Sequence, residues 1–338
     1  MPNNFYVNPL SSAILNAMLL HLILYVASFI GIWVGSGLAV SSVQRLAARL
    51  KISSFAVSFL LLGFFTSISE LSVGVNSVLT NTPEVYVGNL VGASIVLFML
   101  VIPLLAITGK QVKIHDDLQG NRLLIPLLVI TLPVLLSLDG KITQLDALIS
   151  LALCVVCEIQ IQKKQNMGEK VAHFVQVNKL KISKEVFKIV VGSFIIFLAS
   201  QQAVTQTLYF ATTLKMSPFL ISLLVIAIGT NLPELSFVVR SLFMRNNQVA
   251  LGSYVGSAVS NTFIFGMLTL WYGKEVVLEG NYVISLLALV VGLVLFFVFA
   301  RSRHTLSRLE GFMLLALYAV FLFTEYVFNF RSQLLTIL

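Results

Sequence analysis

Two five-residue strings hold the residues best suited to chemistry. Residues 66–70 read Thr66-Ser67-Ile68-Ser69-Glu70, and residues 230–234 read Thr230-Asn231-Leu232-Pro233-Glu234. Each ends in a glutamate near the middle of a long apolar run. A carboxylate at that depth costs at least ~2.5–3.5 kcal/mol on insertion scales, so it faces protein or water and is read first as functional. A lone buried carboxyl can also be a protonated group bonded to a neighbouring helix. Two at equivalent places weigh against that reading. No intramembrane lysine or arginine is available to pair with them, so the natural counter-charge is a bound cation. Hard cations take oxygen ligands, and these strings are rich in them: Thr66, Ser67 and Ser69 in one, Thr230 and Asn231 in the other. Pro233 lacks an N–H and is expected to break its helix and free carbonyls upstream. Ser69 holds the matching place in the first string, where only Ser/Thr side chains competing for backbone groups can make the break.

The chemistry of an empty site follows from charge. Carboxylates within ~5 Å repel by roughly 3 kcal/mol at an effective dielectric of ~20. The pair is then expected to share a proton near neutrality. A divalent cation displaces that proton, so cation binding should weaken at low pH.

The two strings belong to an internal repeat. Gly88-Asn89-Leu90-Val91-Gly92 recurs as Gly252-Ser253-Tyr254-Val255-Gly256, again 164 residues later. Between positions 58 and 98, 12 of 41 residues recur at this offset without a gap, both glutamates among them. The glycine pairs Gly88/Gly92 and Gly252/Gly256 suit close helix packing or shaping of the site. Ser257 and Asn261 are four apart and share a helix face; they are read as ligands. Their first-half counterparts are Ala93 and Leu97, which cannot ligate, so the site is expected to be asymmetric.

The elements that must position these residues are membrane helices. The chain has 338 residues, of which 58% are hydrophobic and 11% charged, against about 25% charged for a soluble chain. Ten apolar stretches are long enough to cross ~30 Å of hydrocarbon: roughly 15–40, 53–79, 85–108, 122–138, 142–162, 187–211, 217–244, 248–271, 282–300 and 308–329. If the N-terminus is outside, 18 of the 22 basic residues fall in cytoplasmic loops or at their edges. One missed span would invert every later loop and destroy that bias. The net charge of +8 therefore reads as membrane orientation, not nucleic-acid binding. The N-terminus does not read as a signal peptide, and a multi-pass protein of the plasma membrane is the default expectation.

The organisation expected is a first repeat at 1–162, a basic cytoplasmic loop at 163–186 and a second repeat at 187–338. Five helices per repeat is an odd number, so the second repeat enters the membrane upside down. Inverted repeats are a signature of alternating-access transporters, with sites near the midplane. Cys154 and Cys157 read as packing residues. Glu158, Glu310 and Glu325 are expected to reach the interface, and His21 to pack in the core. There is no P-loop, zinc spacing or nucleophilic triad. An enzyme is not expected, nor a redox or nucleotide cofactor. The partners are inorganic cations and the bilayer, and oligomeric state is left open.

These motifs resemble the two alpha-repeat signatures of the cation/calcium antiporter superfamily, the sodium/calcium exchangers. The resemblance implies an all-α, ten-helix fold with cation sites among the second, third, seventh and eighth helices, and with the first and sixth helices sliding across them. It implies that Glu70 and Glu234, with the backbone carbonyls of Thr66 and Thr230, form a calcium site. Ser257 and Asn261 match ligand positions of the eighth helix. The family's glycine and proline in the first motif are Phe65 and Ser69 here, and its ligating serine and asparagine of the third helix fall on Ala93 and Leu97. Three readings stay open: an antiporter of calcium for sodium, a cation/proton exchanger without full sodium coupling, and a non-transporting or channel-like relative.

Overall fold

The computed structural model describes residues 9–49, 63–109, 111–114, 121–162, 179–241, 248–278 and 282–337. The start of the second expected helix and most of the basic loop lie outside these residues.

The described chain is almost entirely helical, as its apolar runs dictate. Its elements are α1 (Pro9–Arg49), α2 (Gly63–Thr66), α3 (Ile68–Leu79) and α4 (Pro83–Val96), the last running through a π-helical turn at Leu97–Val101 into α5 (Ile102–Thr108). Then come β1 (Gln111–Lys113), α6 (Asn121–Leu136), β2 (Lys141–Ile142), α7 (Gln144–Gln162) and α8 (Lys179–Thr213). The next helix is built as α9 (Pro218–Ile221), a π-helical turn at Ser222–Ile226 and α10 (Ala227–Thr230). The chain continues with α11 (Leu232–Ser241), α12 (Gln248–Tyr272), β3 (Val276–Val277), α13 (Val283–Arg303), β4 (Thr305–Ser307) and α14 (Arg308–Ile337). Five helices are long and apolar enough to span a bilayer among the described residues, and three apolar helices are shorter. The fold is that of an all-α membrane protein.

Burial separates an inner from an outer layer. The helix over Pro83–Thr108 is mostly buried, whereas those over Asn16–Ser42 and Ser183–Thr213 are mostly exposed. A helix that is apolar all round and buried belongs to the centre of the bundle. The outer pair, α1 and α8, cross where Gly35 meets Gly192. A Cβ at Gly35 would lie 2.7 Å from the Gly192 carbonyl, and one at Gly192 would lie 2.6 Å from the Gly35 carbonyl. Polar contacts tie this pair near both ends. Arg45 Nε donates to Glu185 Oε2 at 2.9 Å, while His21 Nδ1 bonds Gln206 Oε1 at 2.7 Å and its ring stacks on Tyr209.

The 164-residue offset extends well beyond the motifs and into the loops, where short strands form that hydropathy gives no sign of. Val112 and Lys113 pair with Leu306 and Thr305; Val276 and Val277 pair with Ile142 and Lys141. Adding 164 to 112 and 113 gives 276 and 277, and subtracting it from 306 and 305 gives 142 and 141. Each ribbon is the image of the other. Gly140 and His304, also 164 apart, both take a left-handed backbone, with φ of 81° and 53°. Their carbonyls accept from the backbone N–H of Leu278 at 2.9 Å and of Ile114 at 2.8 Å. The helices that follow open with equivalent caps. The Thr143 N–H and hydroxyl both donate to Asp146 at 2.7 Å, and those of Ser307 donate to Glu310 at 2.7 and 2.8 Å. These are capping boxes, which satisfy donors that a helix start leaves open.

Glu310 therefore lies at a helix end and caps α14. Glu325 does not reach the interface: it is 1% exposed, and its carboxyl accepts from the Ser285 hydroxyl. Its place in the sequence suggested a helix end, but α14 runs on to Ile337 and buries it. Glu158 is half-buried on α7. Cys154 and Cys157 are buried free thiols.

Candidate cation site

Both motif helices are broken, and in the same way. Ser67 separates α2 from α3 with φ −77° and ψ 8°; Asn231 separates α10 from α11 with φ −89° and ψ 9°. The break comes from side chains bonding back to the preceding turn, a competition that Ser, Thr and Asn offer. Thr66 Oγ1 donates to the Gly63 carbonyl at 3.0 Å, and Ser67 Oγ to the same carbonyl at 3.1 Å. In the second half Thr230 Oγ1 donates to Ala227 at 3.3 Å, and Asn231 Nδ2 to the same carbonyl at 2.7 Å. Gly63 and Ala227 are 164 apart, so the arrangement repeats atom for atom in role. The helix breaks just upstream of Pro233, and the first half, with Ser69 in that place, breaks with the same backbone geometry and not a weaker one. Pro233 is accommodated in the first turn of α11, where its missing N–H has no partner to lose, and the break sits two residues earlier.

Close helix contact brings the breaks together. A Cβ at Gly63 would lie 2.6 Å from the backbone of Gly256, and one at Gly92 would lie 2.4 Å from the Leu223 carbonyl and 2.7 Å from Ala227 Cβ. The contact of Gly92 with Ala227 is the offset image of that of Gly256 with Gly63. Gly88 packs on the Phe219 carbonyl.

The two glutamates lie where these contacts converge, and both are 1% exposed. The Glu70 carboxyl sits beside Thr230, and the Glu234 carboxyl sits beside Thr66, close enough to Glu70 to feel its charge. Ser69 Oγ lies 2.9 Å from Glu70 Oε2 and 3.2 Å from the Thr230 carbonyl, joining the two halves. By contrast, neither oxygen of Glu234 makes a hydrogen bond of ordinary geometry among the described residues. An uncompensated buried charge of this kind is strongly destabilising. The group must carry a proton or meet a cation.

The remaining sequence candidates divide by place. Ser67 Oγ lies 2.9 Å from Ser257 Oγ, so these two face each other across α2 and α12. The Asn231 Nδ2 group is spent on its own helix, which leaves the Oδ1 as the atom that could ligate. Asn261 is buried, and neither its Oδ1 nor its Nδ2 has a partner among the described residues; it lines a small cavity with Ser94 and Thr262. Asn89 joins the site as a residue that sequence reasoning placed on the right helix without giving it a role. Its Oδ1 lies 3.2 Å from Thr230 Oγ1, where it competes with the Ala227 carbonyl for the one hydroxyl hydrogen, and its Nδ2 has no partner among the described residues. Its position inside the Gly88/Gly92 repeat was the signal available. The whole is a buried, oxygen-rich cluster of two carboxyls, two threonines and an asparagine.

Comparison with known proteins fits this geometry. The family model described as sodium/calcium exchanger protein matches residues 20–159 and 184–327. The sodium/calcium exchanger MaX1 of Methanosarcina acetivorans is 28% identical over 141 residues, an alignment that spans 41% of this chain and 40% of that protein. An uncharacterized membrane protein of Methanocaldococcus jannaschii, MJ0091, is 22% identical over 88% of this chain and 95% of its own length. Among solved structures, the sodium-calcium exchanger NCX_Mj soaked with Na+ and Sr2+ superposes with a TM-score of 0.64 at 21% identity, covering 89% of this chain and 97% of that one.

Proposed function

The chain belongs to the sodium/calcium exchanger protein family, and from that premise we infer that it is a secondary cation antiporter exchanging Ca2+ for Na+ across the plasma membrane by alternating access. The single observation that carries this reading is the buried Glu70–Glu234 cluster, in which neither oxygen of Glu234 makes a hydrogen bond of ordinary geometry among the described residues. Two carboxylates with threonine carbonyls and hydroxyls suit a divalent cation, which takes 6–8 oxygens.

In this reading Glu70, Glu234, Thr66 and Thr230 hold Ca2+, and the breaks at Ser67 and Asn231 turn carbonyls from helix bonding to the ion. Asn89 fixes Thr230. Ser67 and Ser257 hold α2 against α12 beside the ion, Asn231 sets its break, and Asn261 serves an adjoining position. Gly88, Gly92, Gly252 and Gly256 bring the helices close enough for both halves to share one ion. The N-terminus is outside and the 163–186 loop cytoplasmic. Two repeats of opposite orientation then present the same site to either side in turn, and ion gradients supply the driving force.

The wall at Ala93 and Leu97 favours a second reading, a cation/proton exchanger. Leu97 is fully buried, within a π-helical turn, where the second half carries Asn261. Flux in proteoliposomes decides between them. Ca2+ uptake that requires an outward Na+ gradient supports the first reading, and uptake driven only by a pH gradient supports the second. Flux needing no counter-ion refutes antiport altogether. Glu70→Gln and Glu234→Gln are each expected to abolish exchange while the protein still inserts; near-normal exchange in either variant refutes the site.

A further inference from the structure

Away from the glutamate pair, a cleft of about 340 Å³ opens where α2, α7 and α12 meet. That volume lies in the range of small-molecule sites. Its walls are Phe64, Val155, Ile159 and Phe263, and its polar groups are Glu158 and Ser260. Glu158 is half-buried. Among the described residues it has no hydrogen-bonding or ionic partner. Glu158 lies four residues from the end of α7, and an ionisable side chain that faces an apolar cleft without such a partner is a candidate to hold a charged ligand.

The wall chemistry narrows the occupant. Two phenylalanine rings and two aliphatic side chains suit an apolar body, and aromatic faces also attract a cation. The single carboxyl at one side suits a positively charged head. Inorganic cations fit poorly, because one carboxyl and one hydroxyl fall short of the oxygens they need. We propose that this cleft is a binding site for a hydrophobic amine, held by Glu158 and packed against Phe64 and Phe263.

Occupancy has a consequence for transport. Phe64 lies in α2, the four-residue helix whose Gly63 packs on Gly256 and whose end is the break at Ser67. Cys154 of α7 reaches the Val259 carbonyl of α12 at 3.7 Å, which fixes the opposite wall. A ligand wedged between Phe64 and that wall braces α2 against α12 and slows any rearrangement of the break. This effect on flux rests on the proposed antiport; binding itself does not.

The test uses 4-phenylbutylamine, with 4-phenylbutanol as the uncharged match. Purified protein is followed by thermal shift, and proteoliposomes of phosphatidylcholine by Ca2+ uptake. The amine is expected to stabilise the protein and slow uptake at concentrations where the alcohol does neither. Glu158→Gln and Phe64→Ala should each weaken the stabilisation at least tenfold in concentration. Glu158→Gln should keep its uptake without the probe and its stabilisation by Ca2+, so a loss of amine response is not a loss of fold. Adding phosphatidylethanolamine, whose headgroup is also an amine, separates sources: a raised amine requirement means the lipid competes for the cleft, and an unchanged one means only free amines enter. Equal effects of amine and alcohol, or an unchanged response in Glu158→Gln, would overturn the proposal. Thermal-shift binding that survives while no exchange is found would refute the antiport reading and leave the cleft standing.

Discussion

Gly88→Ala is the substitution whose effect the structure fixes most closely. The added methyl would sit 2.2 Å from the Phe219 carbonyl oxygen and 3.0–3.1 Å from two further Phe219 backbone atoms. A carbon and a carbonyl oxygen approach no closer than about 3.3 Å, so α4 and α9 must part by about 1 Å. The obstacle is backbone and cannot swing aside. Overpacking of this kind costs about 1–3 kcal/mol. The next residue, Asn89, holds Thr230 by a bond of 3.2 Å, which the same shift stretches to roughly 4 Å, past hydrogen-bonding range. Since a 1 Å misplacement at a reacting or binding centre can cost ~100-fold, Ca2+ uptake in proteoliposomes should fall by at least tenfold, with a lowered thermal midpoint. Gly37→Ala is the control, since nothing lies within 4 Å of its Cβ position; it should behave as wild type. Normal uptake in Gly88→Ala would refute the argument that glycine contact sets the site's geometry.

Three further outcomes follow. Ca2+ affinity should fall as pH drops from 8 to 5, because protons and the cation compete for the same carboxylates; a flat profile in calorimetry would speak against a shared, dry site. Thr143→Ala and Ser307→Ala each remove a capping side chain and should cost about 1 kcal/mol, seen as similar small decreases in thermal midpoint; unequal effects would argue that the two loops are not equivalent. Asn89→Ala should weaken Ca2+ binding without unfolding the protein, and unaltered binding would remove Asn89 from the site.

Much of this was legible in the chain because it is local. Apolar runs give helices, and Glu70 and Glu234 stand out because a carboxylate is costly where they lie. The repeat shows because both strings survive in sequence. What was not legible depends on contacts distant in the chain. Val112 and Leu306 pair only because two loops 190 or so residues apart meet, and neither segment has strand periodicity. Glu325 looks like an end residue until α14 is seen to continue past it. Proline drew attention to position 233, while the break falls just upstream at Asn231 and at Ser67; the Ser/Thr competition was legible, but which side chains bond back to Gly63 and Ala227 shows only in the fold. Asn89 carried no charge to announce it, and its role rests on Thr230 from the other half.

The most direct measurement is a double-mutant cycle for Ca2+ binding to purified protein by calorimetry, with Glu70→Gln, Glu234→Gln and the pair. One shared ion predicts that either change alone loses nearly all the binding, so the double variant is little worse than each single one. Retention of wild-type affinity in either single variant, or losses that simply add, would contradict a site built jointly by the two glutamates.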